Sequence, residues 1–312
     1  MRAFVFPGQG SQAVGMGVEL AEAFPRAREV FEEVDDALGQ GLGRLMREGP
    51  EDELTLTENA QPALMAVSLA AVRVIEAEGG RPLAELGAFV AGHSLGEYSA
   101  LCAARALPLS DTARLLKLRG QAMQKAVPVG EGAMAAILGL DLADAEAVAE
   151  AAAQGEICAA ANDNAPGQVV ISGARAAVER AVDLAKEKGA KRAVMLPVSA
   201  PFHCDLMAPA ADAMGRALAE TDILPPALPI VANVTAETVT DPSVIRKLLV
   251  EQVCGRVRWR ECVLTMKGEG VDTLVEVGTG KVLSGLARRI DRDLTGVAVN
   301  TPADVEAFLK SL

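Results

Sequence analysis

The sequence predicts an α/β protein: a large domain around a mainly parallel sheet, with a small ferredoxin-like subdomain inserted in it. Short β-rich runs alternate with helical stretches along all 312 residues, the order expected of parallel strands joined by crossover helices. Residues 133–196 break this order and read β-α-β-β-α-β, the ferredoxin-like plan. Pro128 and Pro197 bracket that stretch. Residues 1–127 and 198–312 are therefore assigned to the large domain, and residues 128–197 to the small one. A cleft is expected at their junction, where substrate sites are common.

Arg2–Phe6 reads as the first strand, ended by Pro7-Gly8-Gln9-Gly10. Helical sequence follows to about Glu78 and is most regular over Asn59–Ala77. Leu86–Ala91 is a second strand, and a helix starts at Ser94 and runs to Ala104. Another helix spans about Ser110 to Ala126, with Ser110 or Asp111 suited to cap it. In the middle, strands at Ala133–Leu138, Glu156–Ala161, Gln168–Ser172 and Lys191–Leu196 alternate with helices Leu142–Ala153 and Ala174–Lys188. Asn162–Gly167 has turn composition. The last third carries a helix from about Asp205, a strand near Ile230 and a helix over Pro242–Val253. Strand Thr273–Val277 then passes through Gly278-Thr279-Gly280 into a helix ending near Ile290.

Lys and Arg number 30 against 42 Asp and Glu, a net charge of -12. That balance disfavours nucleic acid, whose affinity rests on cationic contacts with phosphate. No apolar run approaches the ~20 residues of a membrane span, and Arg2–Phe6 is too short for a signal-peptide core. A cytoplasmic enzyme with no membrane partner is expected. The cysteines (Cys102, Cys158, Cys204, Cys254, Cys262) are odd in number, widely spaced and form no CxxC pair. They support neither a disulfide framework nor a metal site and read as small buried apolar residues. Cys204 stands out because it adjoins His203.

Gly92-His93-Ser94-Leu95-Gly96 matches G-x-S-x-G, with a strand before the serine and a helix after it. This is the context of a nucleophile elbow, and it makes the large domain hydrolase-like. The helix amino terminus favours developing negative charge beside Ser94. A serine nucleophile needs a base, and the chain has only two histidines. His93 adjoins Ser94 and points away from it in elbow geometry, so it supports the loop or simply packs. His203, on the loop leaving the small subdomain, is the remaining candidate.

Arg119 falls within the apolar stripe of its helix with Leu115, Leu118, Ala122, Met123 and Ala126. A lone buried guanidinium is costly unless paired. Two readings stand equal: an ion pair with an Asp or Glu of the chain, or a fork that binds a substrate carboxylate. For an oxyanion hole, the Leu95 N–H is the usual first donor, and the Gly8-Gln9-Gly10 loop offers a second. Neither G-x-G-x-x-G nor a Walker lysine is present.

Taken together, these motifs resemble the malonyl-CoA:acyl carrier protein transacylases of fatty-acid synthesis and the acyltransferase domains of polyketide synthases. The carriers are Phe4–Gln12, Gly92–Glu97, Arg119-Gly120, Asn162 with Pro166–Val170, Pro201-Phe202-His203, Glu276–Gly278 and Gly280–Leu283. The resemblance implies that Ser94 is acylated and that His203 is its base, oriented by a main-chain carbonyl near Gln252 rather than by an acid. It implies oxyanion-hole amides from Gln9 and Leu95, and a grip on the free malonyl carboxylate by Arg119. Met123 would line the same pocket, and Asn162 is counted among the substrate-binding positions. Phe202 stands where bulk would crowd a methyl branch and so favours malonyl over methylmalonyl. Thr279 replaces a proline common in that loop. The implied partners are malonyl-CoA and holo acyl carrier protein, with no metal, no other cofactor, and a monomeric enzyme. Lys281, Arg288 and Arg289, or Lys186, Lys188, Lys191 and Arg192, are candidate docking cations for an acidic carrier. A serine esterase would instead predict an acid between Ser94 and His203. A non-catalytic acyl-binding protein would never acylate Ser94.

Overall fold

A computed structural model describes residues 1–312. Its ten strands are β1 Arg2–Phe6, β2 Phe89–Gly92, β3 Gly132–Leu138, β4 Cys158–Ala165, β5 Gln168–Ala174, β6 Arg192–Met195, β7 Ile230–Val231, β8 Thr238–Val239, β9 Thr273–Val277 and β10 Thr295–Val299. One sheet has the order β10-β9-β1-β2-β7-β8, parallel except for the β7–β8 hairpin. β1 lies inside it, and Ala3, Phe4, Val5 and Phe6 are fully buried, as an apolar strand covered on both faces must be. Phe6 pairs with Gly92, so β1 and β2 end side by side. The loops after them, Pro7–Gly10 and His93–Leu95, therefore meet at the carboxyl edge of the sheet, the usual ligand side of an open α/β fold.

The second sheet has the order β4-β5-β3-β6 and is antiparallel throughout. Helices Leu142–Ala153 and Arg175–Glu187 pack on it through Val148, Val178 and Val182 against Ile137 and Ile171. This is the ferredoxin-like arrangement expected from the sequence. The second sheet is tied to the segment before the Trp259–Gly268 helix, where the Asp163 N–H donates to Val257 O (2.9 Å) and the Val257 N–H to Ala161 O (2.9 Å). The Arg260–Asp163 ion pair (2.8 Å) reinforces the joint.

Several local expectations change, among them the start of β2, which lies at Phe89 rather than Leu86. β4 runs on to Ala165, because pairing with β5 and Val257 overrides the turn composition of Asn162–Asn164; only Pro166-Gly167 turns. The Leu109–Ala126 helix follows Pro108 and has no side-chain cap, so Ser110 and Asp111 lie inside it. The helix after the elbow begins at Gly96 rather than Ser94. The Thr57–Gly79 helix is long and apolar enough to cross a membrane by length and composition, against the sequence expectation, but 83% of that window is buried as the central core helix. Helices Trp259–Gly268 and Pro302–Lys310 and strands β8 and β10 complete the fold without having been anticipated.

Candidate active site

The elbow is built by close backbone approach. A Cβ on Gly92 would lie 1.9 Å from the Gly96 carbonyl carbon, and one on Gly96 would lie 2.3 Å from Phe6 O. Ser94 sits at φ 53°, a left-handed conformation that costs free energy in a non-glycine residue and persists only where its surroundings enforce it. Asn233 supplies that constraint: its Oδ1 accepts from the Ser94 N–H at 2.8 Å and its Nδ2 donates to Gly92 O at 2.7 Å.

His203 Nε2 lies 2.8 Å from Ser94 Oγ. On the other side of the ring, Nδ1 lies 2.9 Å from Gln252 O and 3.1 Å from Gly255 O. Both of those partners can only accept, so Nδ1 carries the proton and Nε2 is free to receive one from the serine. Burial, and next the positive charge of Arg119, push the His203 pKa down to about 3, which keeps the ring neutral at physiological pH. His93 turns away from Ser94: its Nε2 pairs with Asn164 Oδ1 at 2.8 Å and its ring packs 5.8 Å from Trp259. Cys204 donates to Pro201 O at 3.2 Å, and burial raises its thiol pKa; it holds the loop of His203 in shape. All five cysteines are free thiols.

Arg119 is 1% exposed. Gly120 beside it packs directly on the start of the Thr57–Gly79 helix, where a Cβ would lie 2.5 Å from Glu58 Cα. That contact turns the buried face toward Leu116, Arg119, Gly120 and Met123, leaving Leu118 and Ala122 only half-buried. Nη1 donates to Gln61 Oε1 (2.8 Å), and Nη2 to Gln252 Oε1 (2.9 Å) and Ser94 Oγ (3.1 Å). The Tyr98 ring lies 5.7 Å away, and Nε has no partner. None of these groups is a carboxylate, so the ion-pair reading of Arg119 is not what the fold provides. The nearest anion, Glu97, is reached only through Gln252, whose Nε2 donates to Glu97 Oε2 at 2.8 Å.

A cavity of about 590 Å³ opens over this cluster. Ser94, His203, Arg119, Gln9, Leu95, Met123, Phe202 and Asn162 all line it; Gln252 stands behind the wall, fully buried. The Gln9 and Leu95 N–H groups donate to no protein acceptor, which leaves them available to an oxyanion. The Gln9 side chain is held by Thr57 Oγ1 at 2.5 Å, and Met123 Sδ by Gln61 Nε2 at 3.7 Å. No trio of His, Cys, Asp or Glu is placed to hold a metal ion. Sequence reasoning missed Gln61, Asn233, Gly255 and the role of Glu97. The only available signal was polarity: Gln61 borders the apolar run of its helix, and Glu97 closes the elbow motif.

The family model described as "Acyl transferase domain" matches residues 3–298. The malonyl CoA-acyl carrier protein transacylase of Escherichia coli (strain K12) is 48% identical over 308 residues, covering 99% of this chain and 98% of the relative. The crystal structure of the acyl-carrier-protein-S-malonyltransferase from Bartonella henselae superposes with a TM-score of 0.97 at 57% identity, covering 99% of this chain and 98% of that one. A type II PKS acyl-carrier protein in complex with its malonyl-transacylase contains a similar chain, with a TM-score of 0.96 and 45% identity over 100% of this chain and 99% of that one. With the elbow, the histidine and the buried arginine in one cavity, and these likenesses running the full length, the chain is an acyltransferase and belongs to the malonyl CoA-acyl carrier protein transacylase family.

Proposed function

We propose that the chain moves a malonyl group from malonyl-CoA to the phosphopantetheine thiol of acyl carrier protein through a malonyl-Ser94 ester, supplying fatty-acid chain elongation. The observation that carries this reading is Arg119: a buried guanidinium with no carboxylate partner, 3.1 Å from the serine oxygen. A carboxylate on the acyl group would satisfy it, and malonyl is an acyl group with a free carboxylate. The names of the relatives agree with that substrate, and the complex with an acyl-carrier protein agrees with that acceptor.

In the first half-reaction His203 Nε2 takes the Ser94 proton as Oγ attacks the thioester carbonyl. The carbonyl oxygen becomes an oxyanion that the Gln9 and Leu95 amides stabilise. As the C–S bond breaks, the proton passes to the coenzyme A sulfur. In the second half-reaction the carrier thiol gives its proton to His203 and attacks the ester, and Ser94 leaves with the proton restored. The imidazolium is held by two carbonyls, Gln252 O and Gly255 O, instead of the carboxylate that an esterase triad would place there. Residues 128–197, taken as a subdomain, contribute Met134, Asn162, Asn164, Val170 and Leu196 to one wall of the cavity, which helps exclude water from the ester.

For the acidic carrier, the surface with Lys281, Arg288 and Arg289 is the better of the two docking candidates. These three are exposed, and Arg289 reaches Gln168 of β5 at 3.2 Å, spanning the joint beside the cavity. In the alternative cluster Lys186 and Lys188 are engaged by Asp183 and Asp144. Intact mass spectrometry after mixing with malonyl-CoA tests the chemistry. A malonyl adduct on the wild type that disappears in Ser94→Ala is expected; no adduct, or one undiminished in Ser94→Ala, overturns it.

A further inference from the structure

Glu97 is 2% exposed directly beneath the elbow, and nothing in the transfer chemistry above uses it. Its Oε2 accepts from Gln252 Nε2 at 2.8 Å and from the Asn233 N–H at 3.1 Å. Those two residues hold the reacting groups. Asn233 fixes the Ser94 backbone, while Gln252 presents its side-chain oxygen to Arg119 and its main-chain oxygen to His203. The Gln252 amide has only one workable orientation. Its Nε2 also faces Ser94 O (2.9 Å) and Asn233 Oδ1 (3.3 Å), so Oε1 must face the guanidinium. One amide therefore separates the buried anion from the buried cation.

We propose that Glu97 is a positioning residue: ionised, it is the internal counter-charge of Arg119 across the Gln252 amide, and it takes up a proton from solvent when a substrate carboxylate occupies the guanidinium. This rests on Arg119 being the carboxylate site. The titratable groups facing Glu97 are Arg119, Tyr98 on its own helix and Cys262 from the Trp259–Gly268 helix. Burial pushes Tyr98 up to about 12 and raises the Cys262 thiol, so both stay neutral and Arg119 is the only charge opposite. His203, pushed down to about 3, is neutral as well. Burial raises the Glu97 carboxyl to about 7, against the pull of Gln252, Asn233 and Arg119. A substrate carboxylate on Arg119 cancels the last and smallest of these pulls, which shifts the carboxyl further toward its protonated form. By linkage, affinity for a carboxylate-bearing acyl group falls as pH rises above neutrality, by up to about tenfold per pH unit, while affinity for an acetyl group does not.

The test is calorimetric binding of malonyl-CoA and acetyl-CoA to Ser94→Ala, which cannot form the ester, at pH 7.5 in buffers of different ionisation enthalpy. Acetyl-CoA subtracts the titration of the coenzyme phosphates. A substantial fraction of a proton taken up per malonyl-CoA, above the acetyl-CoA value, is expected. Ser94→Ala/Glu97→Gln should take up none above the acetyl-CoA value, and its ratio of malonyl-CoA to acetyl-CoA Kd should be independent of pH from 6.5 to 8.5. Malonyl-CoA that binds tightly without excess proton uptake overturns the role of Glu97, and so does a double variant that keeps the uptake. Should the double variant not fold, the single-variant measurement decides alone. Malonyl-CoA binding no better than acetyl-CoA would overturn the assignment of Arg119, and this inference with it.

Discussion

Arg119→Ala should separate the proposed substrate recognition from the proposed chemistry at Ser94. The guanidinium makes three hydrogen bonds inside the protein and leaves Nε free toward its surroundings. Truncating one partner of a buried, hydrogen-bonded charge pair costs about 2–5 kcal/mol, because the other charge is left desolvated and unpaired. At roughly 1.4 kcal/mol per factor of ten, kcat/KM for malonyl transfer should fall by about 30- to 4,000-fold. An acetyl group has no carboxylate to lose. Removing Arg119 also removes the second-largest influence holding the His203 pKa down, so acetyl transfer should be unchanged or faster. The variant should still fold, since the cation's own burial cost disappears with it and partly offsets the space left behind. Initial rates of transfer from malonyl-CoA and acetyl-CoA to one carrier protein, measured on one preparation, give the ratio directly. An equal loss for both substrates would refute the reasoning, because it would mean that Arg119 serves Ser94 Oγ, 3.1 Å away, and not the acyl carboxylate.

Three further outcomes are expected. Phe202→Ser, which opens the cavity wall beside His203, should gain methylmalonyl transfer relative to malonyl; an unchanged ratio in competition assays contradicts the steric role. Arg288→Glu with Arg289→Glu should raise KM for the carrier protein at low salt while leaving the rate of serine acylation by malonyl-CoA alone; unaltered carrier kinetics exclude that surface. For Glu97→Gln the sign follows from a folded-state pKa of about 7 against an ordinary value of 4.5: wild-type stability is full below about 4.5 and lost as pH rises through 7, by about 3 kcal/mol. The melting temperature of Glu97→Gln relative to wild type should therefore be more favourable at pH 8 than at pH 4.5, and a pH-independent difference would show that Glu97 is not a buried, destabilised carboxylate.

Much of the architecture was legible because it is written locally. Arg2–Phe6, Leu142–Ala153 and Thr273–Val277 are the observed elements to the residue, each bounded by its own turn or cap; Asp141, for example, accepts from the Asp144 N–H. Errors fall where a distant partner overrides local preference. Asn162–Asn164 have turn composition yet extend β4, because Val257 and β5 supply backbone partners that no local pattern reveals. β8, two residues long, exists only as the hairpin mate of β7.

The same division runs through the site. Ser94 and Leu95 announce themselves within a five-residue motif, and His203 stands out because the chain has one other histidine. Asn233, Gln61 and the side chain of Gln252 carry no such mark, for an amide is informative only once its two ends are seen to face different charges. Arg119 lies between these cases. Periodicity alone put a cation on an apolar face and left two readings of it equal; the family resemblance favoured a substrate carboxylate, and the fold surrounds the guanidinium with amides and no carboxylate. Burying a guanidinium among neutral acceptors leaves part of its desolvation cost uncompensated. An anionic acyl group would supply what is missing, so the same imbalance that weakens the empty site strengthens the occupied one. On this reading, selection for the acyl charge rests on Arg119 rather than on shape, and a neutral acyl group cannot reproduce it.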